Sequence, residues 1–328
     1  MGWWQIGTDS LAGCRFVVSP LAETIAALKT LHHASAAHPG ERAWLTARLP
    51  AYRRRIAAEP LDGLLVKAAL GPTWNADFVT PTPTGEPGRS FEEEVEAVRE
   101  AEPADAVAQL EVAVGGRVGE PLRSEKDLPQ RMAGVLEWVW RETVLPDWER
   151  RRRILEADVV ARTARLARDG WAAALDELQP GKLRWLGDGR LQVNPRAYPP
   201  RRIDGGRLLF VPVTPRQGWV SWEGSRRHAI VYACSGALAD TTGPVVPEAL
   251  GALLGKARAG VLIRLGSPTS TSQLVALTGQ GLGSVGRHLK VLLDAGLVRR
   301  DRAGRSVLYS WTAAGEVLVR ARRGADRG

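Results

Sequence analysis

The chain has 328 residues, enough for two domains, and 44% hydrophobic content with 12 Trp suits large buried cores. No run of 18 apolar residues occurs, so no membrane span is expected. MGWWQIGTDS lacks the basic and apolar segments of a signal peptide. Cys14 and Cys234 have no metal-type spacing and fit a reducing, cytoplasmic compartment. The net charge of +9 is unevenly placed: residues 247–328 hold 13 Lys and Arg against 5 Asp and Glu, a net +8. A polyanionic partner for that end is implied, beside a nearly neutral remainder.

In chain order, residues 11–18 (LAGCRFVV) read as a short strand. Pro20 opens a helix with Leu21, Ile25, Leu28 and Leu31 on one face. Further helices follow over residues 40–58, 61–70, 91–101 and 104–114, with a Pro/Gly/Thr-rich loop at 71–90. Residues 126–178 are the most helical part, and Pro146 suits the first turn of a long helix. Residues 183–235 switch to a period of two, with Asp188-Gly189 and Asp204-Gly205 as hairpin signals. The fold class expected is α+β. A mostly helical N-terminal domain with a small antiparallel sheet (1–240) is joined through 236–246 to a C-terminal winged helix-turn-helix domain (247–328).

That last domain begins with two helices carrying Leu250, Leu253, Leu254 and then Val261, Leu262, Leu265. Ser270 and Gln273 stand at capping-box spacing for a helix from Thr271 that ends at Gly279. A second helix, 282–295, buries Val285, Leu289, Leu292 and Leu293 as one stripe. Two strands, 297–301 and 306–311, flank a turn at Arg302-Ala303-Gly304-Arg305, and a short terminal helix spans 313–323.

The stretch GSVGRHLKVLLDAGLVRRDRAGRSVLYSWT resembles the recognition helix and wing of ArsR-type bacterial transcriptional regulators. It has Gly286-Arg287-His288-Leu289 where that family commonly has Ser-x-His-Leu, so it departs at the serine. The resemblance implies double-stranded DNA as partner, a homodimer formed through the first and last helices of the domain, and a regulator, here read as a repressor. The 1–240 region resembles an α+β domain that precedes such winged helices in some high-GC bacterial regulators, where we assign it no activity.

With the apolar stripe turned inward, helix 282–295 presents Gly283, Ser284, Gly286, Arg287 and Lys290 to the major groove, with His288 beside them. Arg287 is assigned base readout, because its fork pairs with guanine O6 and N7. Ser284 and Lys290 are assigned phosphates or base edges. Arg300, Arg302 and Arg305 of the wing (299–308) complete the DNA-binding set, the tip pair Arg302 and Arg305 first. The glycines at 281, 283 and 286 each cost a helix about 1 kcal/mol relative to Ala. Close approach to DNA and simple drift both account for them.

No catalytic residue, metal ligand or cofactor is assigned. His32, His33 and His38 lack the further ligands a metal needs and read as a polar helix end. Glu149–Arg153 (ERRRR) and Phe91–Glu96 (FEEEVE) read as solvated faces. Trp138, Trp140, Trp148 and Trp171 read as core, or as the wall of a ligand pocket. The 1–240 domain is thus open to a small-molecule effector or a protein partner. The alternative is an enzyme in 1–240 tethered by its winged helix. A protein-interaction module with no DNA role is a third reading.

Overall fold

The computed structural model describes residues 2–36, 39–72, 74–176, 178, 182–194, 199–203, 205–234, 246–266, 269–278, 280–303 and 306–320. Side chains are further left out at 39–40, 164–165, 168–169, 173, 176, 272–273, 276, 302–303, 306 and 320. His38, the segment 235–245, Gly279 and Arg305 therefore lie outside the described residues, as do the side chains of Gln273 and Arg302.

The N-terminal region opens with β1 (Gly2–Ile6), α1 (Thr8–Ala12) and β2 (Arg15–Phe16). The strand expected over 11–18 is thus mostly replaced. Leu11 sits in a helical turn packed on the sheet core, closed by the Gly13 N–H on the Asp9 carbonyl. Four helices follow: α2 (Pro20–His33), α3 (Pro39–Ala58), α4 (Pro60–Ala69) and, after the 71–90 loop, α5 (Phe91–Arg99). Then come α6 (Pro103–Val114) and α7 (Leu128–Val139), and a π turn and a 3₁₀ turn lead into α8 (Trp148–Asp176). Pro146 sits in that 3₁₀ turn rather than in the long helix, and Gly170, at φ +77°, breaks α8 internally.

α2 is central. Its Leu21, Ile25, Leu28 and Leu31 pack among the helices, as the periodicity predicts. Its Ala22 and Ala26 lie against a sheet, so nearly the whole helix is buried. A helix enclosed on all sides carries polar groups only where they are satisfied.

The strands that follow are β3 (Arg184–Gly187), β4 (Arg190–Asn194), β5 (Arg201–Ile203), β6 (Arg207–Val213), β7 (Trp219–Glu223) and β8 (Arg227–Ala233). They form two four-stranded sheets, in the orders β3-β4-β1-β5 and β2-β6-β8-β7. The expected small antiparallel sheet is corrected here: β6 pairs β8 in parallel, as do β2 with β6 and β1 with β5. The physical reason is burial on both faces. Leu209, Val211 and Val231 meet α2, while Leu208, Phe210, Ile230 and Tyr232 meet the other sheet through Trp4, Ile6 and Ile203. Strands covered on both sides read as continuous apolar runs, such as LLFVPV and AIVYA, rather than as alternation. Asp188-Gly189 does close the β3–β4 hairpin, with both residues at positive φ. Asp204 of the second signal lies outside the described residues, and the strands on either side of it, β5 and β6, belong to different sheets.

One buried cluster joins helices to sheet. Arg151 of α8, 1% exposed, donates from Nη1 to Glu23 Oε1 of α2 at 2.5 Å and to Thr214 Oγ1 at 2.8 Å. Thr214, just past β6, returns its N–H to Glu23 Oε2 at 2.7 Å and its hydroxyl to Glu23 Oε1. The Arg151 guanidinium also stands over Trp44 of α3, 5.2 Å from the ring centre. The solvated face expected for ERRRR is therefore corrected at Arg151, which points inward while Arg152 and Arg153 stay exposed. FEEEVE departs similarly at Glu94. Its carboxylate accepts from Ser19 Oγ at 2.8 Å and from Leu21 N at 2.9 Å, capping α2 from outside.

The C-terminal region has α9 (Glu248–Leu254), α10 (Lys256–Arg264), β9 (Thr269–Ser270), α11 (Thr271–Thr278) and α12 (Leu282–Asp294). The hairpin β10 (Val298–Ala303) and β11 (Ser306–Trp311) and the helix α13 (Ala313–Arg320) follow. It has its own core of Val261, Leu262, Leu265, Leu274, Val285, Leu289, Leu292 and Val298.

Breaking the Glu23–Arg151 pair leaves an uncompensated buried charge. Arg151→Met should therefore lower unfolding free energy by about 3–5 kcal/mol, read from denaturant midpoints. Glu94 generates a pH dependence as well. Burial lifts its carboxyl from the ordinary 4.5 to about 7, against the hydrogen bonds from Leu21 and Ser19. Between those values the folded state holds a proton that the unfolded state has released, so this group costs stability as pH rises through that window. Glu94→Gln should flatten stability between pH 4.5 and 7, and an unchanged slope would refute the assignment.

Candidate nucleic-acid interface

α11 and α12, three residues apart with Gly279 outside the described residues, form a helix-turn-helix, with α12 held by one apolar face. Val285, Leu289 and Leu292 are buried, at the i, i+4, i+7 spacing that the sequence predicts. The opposite face is therefore turned to solvent. Gly283, Arg287 and Lys290 are exposed there, while Ser284, Gly286 and His288 are half-buried at its edge. Ser284 Oγ lies 3.2 Å from Gln280 Oε1 and 3.4 Å from His288 Nε2, so both polar side chains are already oriented along one side of the helix.

Electrostatics add a residue that the sequence reading left out. Burial first, then Arg258 and Arg287, lower the pKa of His288 below its usual value, which favours its neutral form. Arg258 comes from α10, so two helices contribute positive charge beside the same imidazole. Nothing in the local pattern around Arg258 signals this, because it depends on how α10 crosses α12.

The hairpin β10–β11 pairs in register from Val298↔Trp311 to Ala303↔Ser306, and β9 adds a third strand through Leu308↔Ser270. Alternation puts Arg299 and Asp301 on one face and Arg300 on the other. Arg299 Nε donates to Ser310 Oγ at 3.1 Å and faces Asp301 at 3.6 Å. Both Arg299 and Arg300 are exposed, but the charge of Arg299 is partly tied within the sheet. Of the expected wing-tip pair, Arg302 is described only by its backbone in β10, and Arg305 lies outside the described residues.

The unit is closed by Trp311. Its indole N–H donates to the Leu262 carbonyl at 2.6 Å, tying the end of β11 to α10. α13 then packs so closely that a Cβ at Gly315 would stand 2.0 Å from the Leu297 carbonyl oxygen, so only glycine fits. By contrast, a Cβ at Gly283 or Gly286 would meet nothing within 4 Å. Packing inside the protein does not require those glycines.

The other sequence candidates fall elsewhere. His32 and His33 end α2 with their rings 5.2 Å apart. Among the described residues no group of three or more His, Cys, Asp or Glu is placed to hold a metal. Trp140 stacks on Phe91 at 4.8 Å and meets Trp148 edge-on, while Trp138 faces Tyr52 and Trp171 faces Phe210. Trp140 is buried in a core, and Trp138, Trp148 and Trp171 pack partly buried against one. No described helix is long and apolar enough to cross a membrane.

Residues 262–300, from the end of α10 into β10, match the family model of the bacterial regulatory proteins of the arsR family. This stretch is therefore an ArsR-family regulator domain, of the kind associated with DNA-binding transcription regulation. The chain as a whole matches no curated protein and no solved structure.

Because Gly286 stands in open space within a helix, Gly286→Ala should raise the stability of the C-terminal region by about 1 kcal/mol, measured by thermal unfolding. A loss of DNA affinity alongside that gain would identify close backbone approach to the duplex as the reason for the glycine. Unchanged affinity would identify drift.

Proposed function

We propose that this protein is a sequence-specific transcriptional repressor, acting in the bacterial cytoplasm as a homodimer on double-stranded DNA. In this reading 247–328 is a winged helix-turn-helix domain. α12 enters the major groove, Arg287 reads a guanine through its bidentate fork, and Ser284, His288 and Lys290 flank it on phosphates or base edges. Gly283 and Gly286 allow the backbone to come close. Arg300, with Arg302 and Arg305, serves as the wing that contacts the neighbouring backbone. The observation that carries the reading is an exposed cationic face on α12, within an ArsR-family match, at the end of the chain that holds nearly all the net charge.

Dimerisation is supported by apolar side chains left in solvent on the first and last helices of this domain. Leu253 on α9 is 66% exposed and Val317 on α13 is 68% exposed. A second copy would cover them. The 1–240 region is read as a regulatory domain, not an enzyme, that sets the placement of the two DNA-binding domains in response to a ligand or partner.

A binding site obtained by selection from random DNA makes this testable. Arg287→Ala should weaken binding about 5- to 150-fold and relax preference at one base pair, since a bidentate contact is worth about 1–3 kcal/mol. Arg300→Ala should weaken all sequences alike and lower the salt slope by about one. Wild-type affinity should fall by ~10³–10⁵ between 50 and 200 mM salt. Binding independent of both salt and Arg287 would overturn the proposal.

A further inference from the structure

A cleft of about 420 Å³ opens in the N-terminal region between the end of α2, the 71–80 loop and the strands around Asn194 and Val220. Three cations line it, each from a different part of the chain: Lys29 of α2, Lys182 ahead of β3 and Arg216 ahead of β7. Such a convergence is invisible in sequence, where this region is almost neutral overall.

Lys29 is the unusual member. It is half-buried, and among the described residues no carboxylate lies within ion-pair distance of it. Its ammonium makes one 3.3 Å hydrogen bond, to the neutral Asn75 Oδ1, and stands 5.2 Å from the ring centre of Trp219. Burial first, and then the like charge of Lys182, pull its pKa down to about 8. Buried charges in folded proteins are normally paired, because an unpaired one forfeits its hydration. Asp77, the one carboxylate among the described lining residues, accepts from the Trp74 indole N–H at 3.2 Å. The cleft thus combines three cations, against one carboxylate, with the flat side chains Trp74 and Trp219, in a volume typical of small-molecule sites.

We propose that this cleft binds a small organic anion with a flat ring system, its acidic group held by Lys29, Lys182 and Arg216 and its ring set against Trp74 and Trp219. The bound anion supplies the counter-charge that Lys29 lacks. The inference rests on the regulatory reading of 1–240 only for its effect on DNA, so ligand binding is tested separately from DNA binding.

Two aldehydes of nearly the same shape provide the probes. Pyridoxal 5′-phosphate and pyridoxal both condense with a lysine amine, releasing water, and borohydride reduces the imine to a stable secondary amine. Only the first carries the anionic group. The chain has six lysines, and the exposed Lys67, Lys126 and Lys256 serve as controls. On the full-length protein, peptide mapping should show pyridoxal 5′-phosphate modifying Lys29 or Lys182 at least about tenfold faster than the controls. Pyridoxal should lack that preference. Arg216 is exposed, so Arg216→Gln should keep the wild-type circular dichroism and yet reduce the phosphate-dependent preference severalfold. Equal preference with the two aldehydes, or a preference unchanged in Arg216→Gln, would overturn the site.

Labelling that shifts DNA affinity in the wild type, but not in Lys29→Met, would further tie the site to regulation. With Lys29 labelled as expected and DNA affinity unmoved, the anion site stands and the regulatory reading of 1–240 falls.

Discussion

The N-terminal region depends on one enclosed carboxylate. Glu23 belongs to α2, the helix with the least access to water, and it holds Arg151 of α8 and Thr214 at the end of β6 together. Three segments far apart in the chain are thus fixed to one another by charge-assisted bonds in a dry setting, where such bonds are strong when complete and expensive when broken. The register of α2 along the sheet follows from it, since Ala22 and Ala26 meet Val211 and Val231 on the same side. The cleft at the other end of α2, around Lys29, inherits its shape from that placement.

The two ends of the chain handle charge in opposite ways. In the N-terminal region several cations are paired across elements, as with Arg131 and Arg55 on Asp62 and Arg99 on Glu137, and Arg151 on Glu23 is buried outright. In the C-terminal region, Arg287, Lys290 and Arg300 stay in solvent on one helix face and one strand face. Surface cations without local partners keep their long-range field, which is what a polyanion responds to. Lys29 differs in being half-buried with no described carboxylate within ion-pair distance, and that is what marks the cleft.

The helix-turn-helix was legible because its signals are local. Val285, Leu289 and Leu292 report a buried stripe through spacing alone, Gly296 stands at positive φ just past the helix, and a turn signal at residues 302–305 separates the hairpin strands, although β10 runs on to Ala303. The same holds for α2 to α7, whose ends are punctuated by Pro, Gly or capping serines. The sheets were misread for the opposite reason. Whether LLFVPV pairs in parallel or antiparallel depends on what covers its two faces, and neither cover is adjacent in sequence.

The sequence by itself determined where most of the helices run, which end of the chain carries charge and which face of α12 is free, because periodicity and composition are properties of neighbouring residues. Only the tertiary structure decided that Arg151 turns inward to Glu23, that Arg258 joins His288, and that Lys29, Lys182 and Arg216 share one cleft. Those outcomes come from contacts between residues up to about 190 positions apart. No local energy term distinguishes one such partner from another until the layers have packed and water has been expelled.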